Sequence, residues 1–235
     1  MSIAKLLQSM DGRRGNAMGL GTYLEWRQRW PELLVSRQTD EAVDLLRRYY
    51  ATFDGGKPRY TGSRFEAFAA LNNEPDVLGP ADFVAVSMLS VNVPPQAAIR
   101  LVGPDANQVT MLLKQIPADC DIVDADPESL GADSAAGQLW DLLRGAKDGV
   151  GRTTTSKLMA VKRPRLFPIW DSFVEQATGL GTSDYWRHFQ TVLVAEDRAV
   201  WNWLNQLRSE VSDVPAEVSP LRILDVLLWM SVEGG

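Results

Sequence analysis

The chain has 235 residues, 45% of them hydrophobic, and a formal charge of −6 from 24 Lys/Arg against 30 Asp/Glu. That length suffices for one large domain or two small ones around an apolar core, and no run approaches the roughly 20 apolar residues of a membrane span. Cys120 is the sole cysteine and His188 the sole histidine, which excludes an intramolecular disulfide and leaves no ligand set for zinc.

In chain order, Met-Ser-Ile-Ala-Lys-Leu-Leu begins a short amphipathic segment with neither the apolar length nor the cleavage site of a signal peptide. A reducing, cytoplasmic location is therefore expected. A loop follows at Asp11–Gly15. Trp26 and Trp30 lie four apart with Tyr23 three before, so their rings share one helical face as a buried stripe. Thr39-Asp40-Glu41 caps a helix through Tyr50 whose apolar face is Ala42, Val43, Leu45, Leu46 and Tyr49. Residues 53–59 read as a loop, from Asp54-Gly55-Gly56 and Lys57-Pro58. They deliver Tyr60 and Arg64 to the start of a helix expected over 63–71, where Tyr60 is a candidate to stack on a base and Arg64 to bind a phosphate. The competing reading is a capped core helix with Phe65 and Phe68 inside.

Proline-led starts predict helices from Pro80 to about Val91, from Pro94-Pro95 through Leu101, and from Pro104-Asp105 to about Gln115. The acidic tract 119–128 lacks the ligand spacing and glycine of a calcium loop and reads as a solvated linker. Ser134 opens a helix over 134–145, and Gly149-Val150-Gly151 turns into another that ends near 161–163, because Pro164 disfavours helical geometry before it. Ser172-Phe173-Val174-Glu175 is a capping-box pattern. His188 reads as a packed or rim residue, Trp201, Leu204 and Leu207 as core, and 221–230 as a buried helix, apolar on most sides. With no period-2 pattern and no internal repeat, the fold class is all-α, with ten to twelve helices.

Charge separates along the chain. Residues 144–170 carry seven Lys/Arg against Asp148, a net +6, whereas 66–143 carry −10 and 171–235 carry −6. A basic centre in an acidic whole predicts a polyanion contact on one face. The glycine turn adds the unpaired N–H groups of Gly151, Arg152 and Thr153, an anion site at a helix start. Lys157 is expected to point away from that turn and Lys162, Arg163 and Arg165 to lie beyond it, leaving Arg152 as the direct phosphate ligand.

Gly149-Val150-Gly151 with its Thr-rich helix, followed by Phe167-Pro168-Ile169-Trp170-Asp171, resembles the core of the helix-hairpin-helix DNA glycosylases, closest to the adenine-mismatch and endonuclease III branch. In that superfamily the catalytic aspartate follows the last hairpin glycine by twenty residues, the offset from Gly151 to Asp171. Upstream, Ser87-Met88-Leu89-Ser90-Val91-Asn92-Val93 resembles its Leu-Leu-Ser-x-Gln segment, with Asn92 where the duplex-probing glutamine stands. The resemblance covers residues 80–180, and the chain as a whole resembles a derived bacterial family carrying this motif.

The resemblance implies a two-lobed helical fold, with 72–168 as the lobe holding the hairpin (134–162) and 1–71 plus 169–235 as the second. It implies a double-stranded DNA partner held by Gly149, Val150, Gly151, Arg152, Thr153 and Asn92, and Asp171 as the carboxylate of a monofunctional N-glycosylase acting on a flipped base. The apolar lead-in ending at Trp170 is expected to desolvate that carboxylate. Thr153 occupies the place of the lysine found in bifunctional relatives, so no lyase step is expected. One cysteine leaves no iron–sulfur cluster, and no cofactor is expected. The glutamate that adenine-mismatch members carry near the position of Met88 is absent, and Glu66 is the best second carboxylate, with no spacing to tie it to Asp171. The alternative is a catalytically inactive helix-hairpin-helix module for DNA or protein binding, in which Asp171 only caps a helix.

Overall fold

The structure, a computed structural model, describes residues 20–233, without the side chains of 20–24. The amphipathic start, the loop Asp11–Gly15 and the side chain of Tyr23 lie outside the described residues. Among these, regular structure is helical: α1 (Leu20–Arg29), α2 (Glu32–Val35), α3 (Thr39–Tyr50), a 3₁₀ turn (Thr61–Arg64) running into α4 (Phe65–Ala69), α5 (Pro80–Met88), α6 (Pro95–Val102), α7 (Ala106–Leu113), a second 3₁₀ turn (Pro127–Leu130), α8 (Ala135–Arg144), α9 (Arg152–Lys162), α10 (Ser172–Thr178), α11 (Tyr185–Glu210) and α12 (Pro220–Glu233). There is no strand among the described residues, and an isolated bridge joins Thr52 to Pro58. None of these helices is long and apolar enough to cross a membrane.

Local chemistry sets the boundaries. Pro80 and Pro95 open α5 and α6, where a missing N–H costs nothing. Ser134 Oγ accepts from Gly137 N to start α8, and Asp171, one residue before the expected capping box, starts α10. Gly179 closes α10 in the left-handed conformation, its N–H donating to Glu175 O. Two expected helices are shorter than their sequence suggested. Before α4, Tyr60–Arg64 tightens into a 3₁₀ turn through Ser63, whose N–H and hydroxyl both donate to Tyr60 O. α5 ends at Met88 because Ser90 takes a φ of 61°, outside right-handed helix geometry.

α12 is the centre of the packing. Ile223, Leu224, Val226, Leu227 and Leu228 on it are wholly buried, against α3, α10 and α11. α9, buried from Thr154 to Lys162, packs on α5 and α8. Trp26 and Trp30 are buried as the spacing implied, Trp30 tilting against Phe189 of α11. α11 is interrupted at Ala195–Arg198, where Glu196, Asp197 and Arg198 have positive φ; Glu196 pairs with Arg27 and Arg37, and Arg198 with Asp124.

The basic stretch is not one basic face. Lys162 is buried between Asp82 (3.3 Å) and the Glu74 carbonyl, and Arg163, 1% exposed, is a structural hub. Its guanidinium donates to the carbonyls of Ile116, Pro75, Lys162 and Leu113 and to Asp76 Oδ1 at 2.6 Å. Arg165 is taken up by Asp121 at 2.7 Å. The acidic tract is correspondingly no free linker. Asp121, Asp124 and Glu128 each meet an arginine, while Gln190 holds the carbonyls of Ile122 and Ala125. Arg163→Met would strand several buried acceptors at once, with an expected loss of about 3–5 kcal/mol. Urea unfolding followed by tryptophan fluorescence measures it, and a loss under about 1 kcal/mol would show that the carbonyls find other partners.

Candidate active site

Residues from α3, the 3₁₀ turn at Thr61–Arg64, the loop after α5, α9, α10 and α12 surround a cavity of about 440 Å³. One wall is aromatic. Tyr60 stacks on Tyr49 with ring centroids 5.4 Å apart and meets the edge of Trp229 at 5.4 Å, and Phe173 lies 5.5 Å from Trp229. Met88–Val91, Thr153 and Lys157 also line the cavity. Thr61 Oγ1 joins the 3₁₀ turn to the end of α5 by donating to Met88 O at 2.7 Å. Gly62 must lack a side chain, because a Cβ there would fall 2.1 Å from the Tyr49 hydroxyl.

The cleft's polar groups are charged and nearly sealed. Asp171 Oδ1 accepts from the backbone N–H groups of Phe173 and Val174, both at 3.1 Å, while its Oδ2 lies 3.2 Å from Lys157 Nζ. Lys157 also donates to Leu89 O at 2.8 Å. Beside this pair, Arg222 of α12 donates to Glu66 Oε1 (3.1 Å), the Tyr49 hydroxyl (2.8 Å), Gly62 O (3.1 Å) and Asp225 Oδ2. Its guanidinium lies over the faces of Tyr49 and Phe65. Burial pushes the Asp225 carboxyl up to about 6; Asp171 adds to the rise, and Arg222 and Lys157 oppose it. Burial likewise lifts Glu66 above its ordinary value and Tyr49 to about 12. Tyr50 Oη and Glu66 Oε2, buried in the same cluster, have no hydrogen-bond partner. No group of His, Cys, Asp and Glu among the described residues could hold a metal ion.

Residues 42–232 match the profile of a family of unknown function, DUF6308. The chain belongs to that family. No curated protein and no solved structure matches it. The matched region of this DUF6308 chain takes in every residue lining the cleft, from Tyr49 to Trp229.

Of the residues singled out from sequence, Tyr60, Thr153 and Asp171 meet in this cleft. The turn before α9 lies beside it. Gly149 has a φ of 93° and sits so close to the Pro94 ring that a Cβ would approach it to 3.0 Å, while a Cβ on Gly151 would meet nothing. Val150 is buried, and Arg152 is exposed with its guanidinium over the Trp170 ring. α9 starts without a side-chain cap, its first turn closed by Thr155 N donating to Gly151 O at 3.0 Å. Asp148 within the turn is braced by Arg100 at 2.7 Å, a bond that holds its carboxyl below the usual range. Asn92 is exposed on the loop whose Ser90 and Val91 line the cleft. Arg64 is half-buried and does not line it, and Glu66 reaches it only through Arg222.

The lead-in to Asp171 is buried, with the Trp170 indole N–H on Leu180 O, and the sequence reading missed that Lys157 also flanks the carboxylate. Lys157 does leave the turn, but into the cleft. Its spacing of four from Thr153 on one helix face was the available signal. The Arg222 and Asp225 pair was also missed, although opposite charges three apart in an otherwise apolar helix announce a buried contact.

A folded-state value for Asp225 above the ordinary carboxylate value means that the native chain keeps a proton which the unfolded chain releases. Its stabilising contribution is therefore full below the ordinary value and lost as pH rises through about 6; Glu66 acts in the same direction. Asp225→Asn should flatten the stability profile between pH ~4 and ~6 in urea titrations. An unchanged slope would place the proton elsewhere.

Proposed function

We propose that this chain is a DNA-binding protein of the helix-hairpin-helix glycosylase type, and that its cleft hydrolyses the N-glycosidic bond of a flipped base. The observation carrying this reading is Asp171, which spends one oxygen on its helix cap and turns the other, beside Lys157, toward an aromatic-walled cleft. The cavity's 440 Å³ falls within the roughly 300–1,000 Å³ of small-molecule sites. In this reading the lobe 72–168 supplies Met88–Val91, Thr153 and Lys157, and the lobe formed by 1–71 and 169–235 supplies Tyr49, Tyr60, Asp171 and Trp229, so the base enters between them.

Each group then has a task. The backbone amides at the uncapped start of α9, with Arg152, hold a phosphate of the duplex. The extruded base lies against Tyr60 and Trp229, offsetting part of the few kcal/mol that unstacking costs. Asp171 stabilises the oxocarbenium-like sugar or takes the proton of the attacking water, and Lys157 holds it in orientation. The second reading, a binding module without catalysis, is favoured by the −6 net charge and by the fact that both Asp171 oxygens already have partners.

Asp171→Asn separates the two, because asparagine caps a helix about as well as aspartate. Single-turnover base release from duplexes carrying a panel of damaged or mismatched bases should fall roughly 10²- to 10⁴-fold while duplex affinity is kept. Full release by the variant on any substrate of the wild type ends the catalytic assignment. For the phosphate grip, Arg152→Ala should lower the slope of log K against log salt by about one unit in fluorescence titrations with duplex DNA. Identical slopes would remove Arg152 from the interface.

A further inference from the structure

Hydrolysis of a glycosidic bond to a base asks two things of a cleft: negative charge near the sugar, and a proton for the departing ring nitrogen. Asp171, held by Lys157 and two amides, suits the first task. The second needs a carboxyl that keeps its proton, and the charge balance of the cleft provides one. Three carboxylates (Asp171, Asp225, Glu66) meet two cations (Lys157, Arg222), and none of these five side chains is more than 15% exposed. Fully ionised, the cluster carries one unmatched negative charge away from water, a state that favours uptake of a proton.

Which carboxyl takes it follows from the contacts. Asp171 has cationic or N–H donors on both oxygens. Glu66, whose buried Oε2 has no partner, is a second place for a proton, but it does not line the cleft and so cannot deliver one to a base there. Asp225 does line it, and Arg222 engages its Oδ2, leaving Oδ1 to carry a proton. Resting on the glycosylase reading, we propose that Asp225 is the general acid of this cleft, protonating the departing base. Its charged and titratable surroundings are Arg222 on its own helix, Glu66 on α4, Tyr49 and Tyr50 on α3, Lys157 on α9 and Asp171 before α10. The upward push on its carboxyl agrees with the assignment.

The step balances. The C1′–N bond breaks with its electron pair leaving on the base, whose ring nitrogen takes the Asp225 proton. Water oxygen bonds to C1′ and gives its proton to Asp171, and solvent returns one proton from Asp171 to Asp225. One water is added across one C–N bond.

The test compares two leaving groups in one duplex: each base of the damaged and mismatched panel, which needs a proton to depart, and 4-nitrophenolate at the same C1′, which does not. Wild-type base release should fall about tenfold per pH unit above ~6, while nitrophenolate release stays flat. This comparison needs no variant. Asp225→Asn, checked for folding by circular dichroism, should lose roughly 10²-fold or more on the base and under about threefold on nitrophenolate, whereas Asp171→Asn loses both. Equal losses on the two substrates, or parallel wild-type pH profiles, overturn the assignment of Asp225 and leave the glycosylase reading standing. A wild type that releases neither group overturns both.

Discussion

Arg222 carries a charge that no protein environment removes into a helix whose neighbours are leucine, isoleucine and valine. A buried guanidinium obliges the fold to bring acceptors to it. They come from four places: Tyr49 on α3, Gly62 in the 3₁₀ turn, Glu66 on α4, and Asp225 one turn along α12 itself. The requirement spreads outward. With the Tyr49 hydroxyl held by Arg222, no side chain fits at position 62, and the turn around Gly62 sets Tyr60 face to face with Tyr49. The aromatic wall of the cleft is thus a consequence of how one charge is satisfied.

The same accounting changes the meaning of the basic stretch. Of its seven cations, Lys157, Lys162 and Arg163 are consumed inside the molecule and Arg165 is neutralised by Asp121. What remains outward is Arg144, Lys147 and Arg152, all around the glycine turn. A narrow positive margin on an acidic molecule makes its long-range attraction for any polyanion weak.

Much of the helical architecture was legible because its signals are local. Prolines at first helical positions, Ser134 and Asp171 as caps, and the 3.6-residue apolar faces act within a few residues of where they are read. The glycine turn was found the same way, and Asp171 as a site through the twenty-residue offset that the resemblance supplied. What could not be read was pairing across distance: Lys162 with Asp82, Arg163 with Asp76, and Arg222 with Glu66 lie 80 or more residues apart, and a run of basic residues looks identical whether it faces water or carbonyls. The loss of helix at Ser90 was equally hidden, since serine does not advertise a positive φ.

The cleft also has a history built into its chain order. Its aromatic wall begins at Tyr49, yet Arg222, Asp225 and Trp229 come some 170 to 180 residues later. During synthesis on the ribosome, α3 and α4 emerge with Tyr49, Tyr50 and Glu66 long before their cation exists. The early segment must wait with its polar groups in water, and the last helix, apolar on most sides, must then insert among elements already made. Pairings at such separation are slow to close. The cleft is therefore complete only once α12 has docked, so a partly made chain can hold its helices while the cleft does not yet exist.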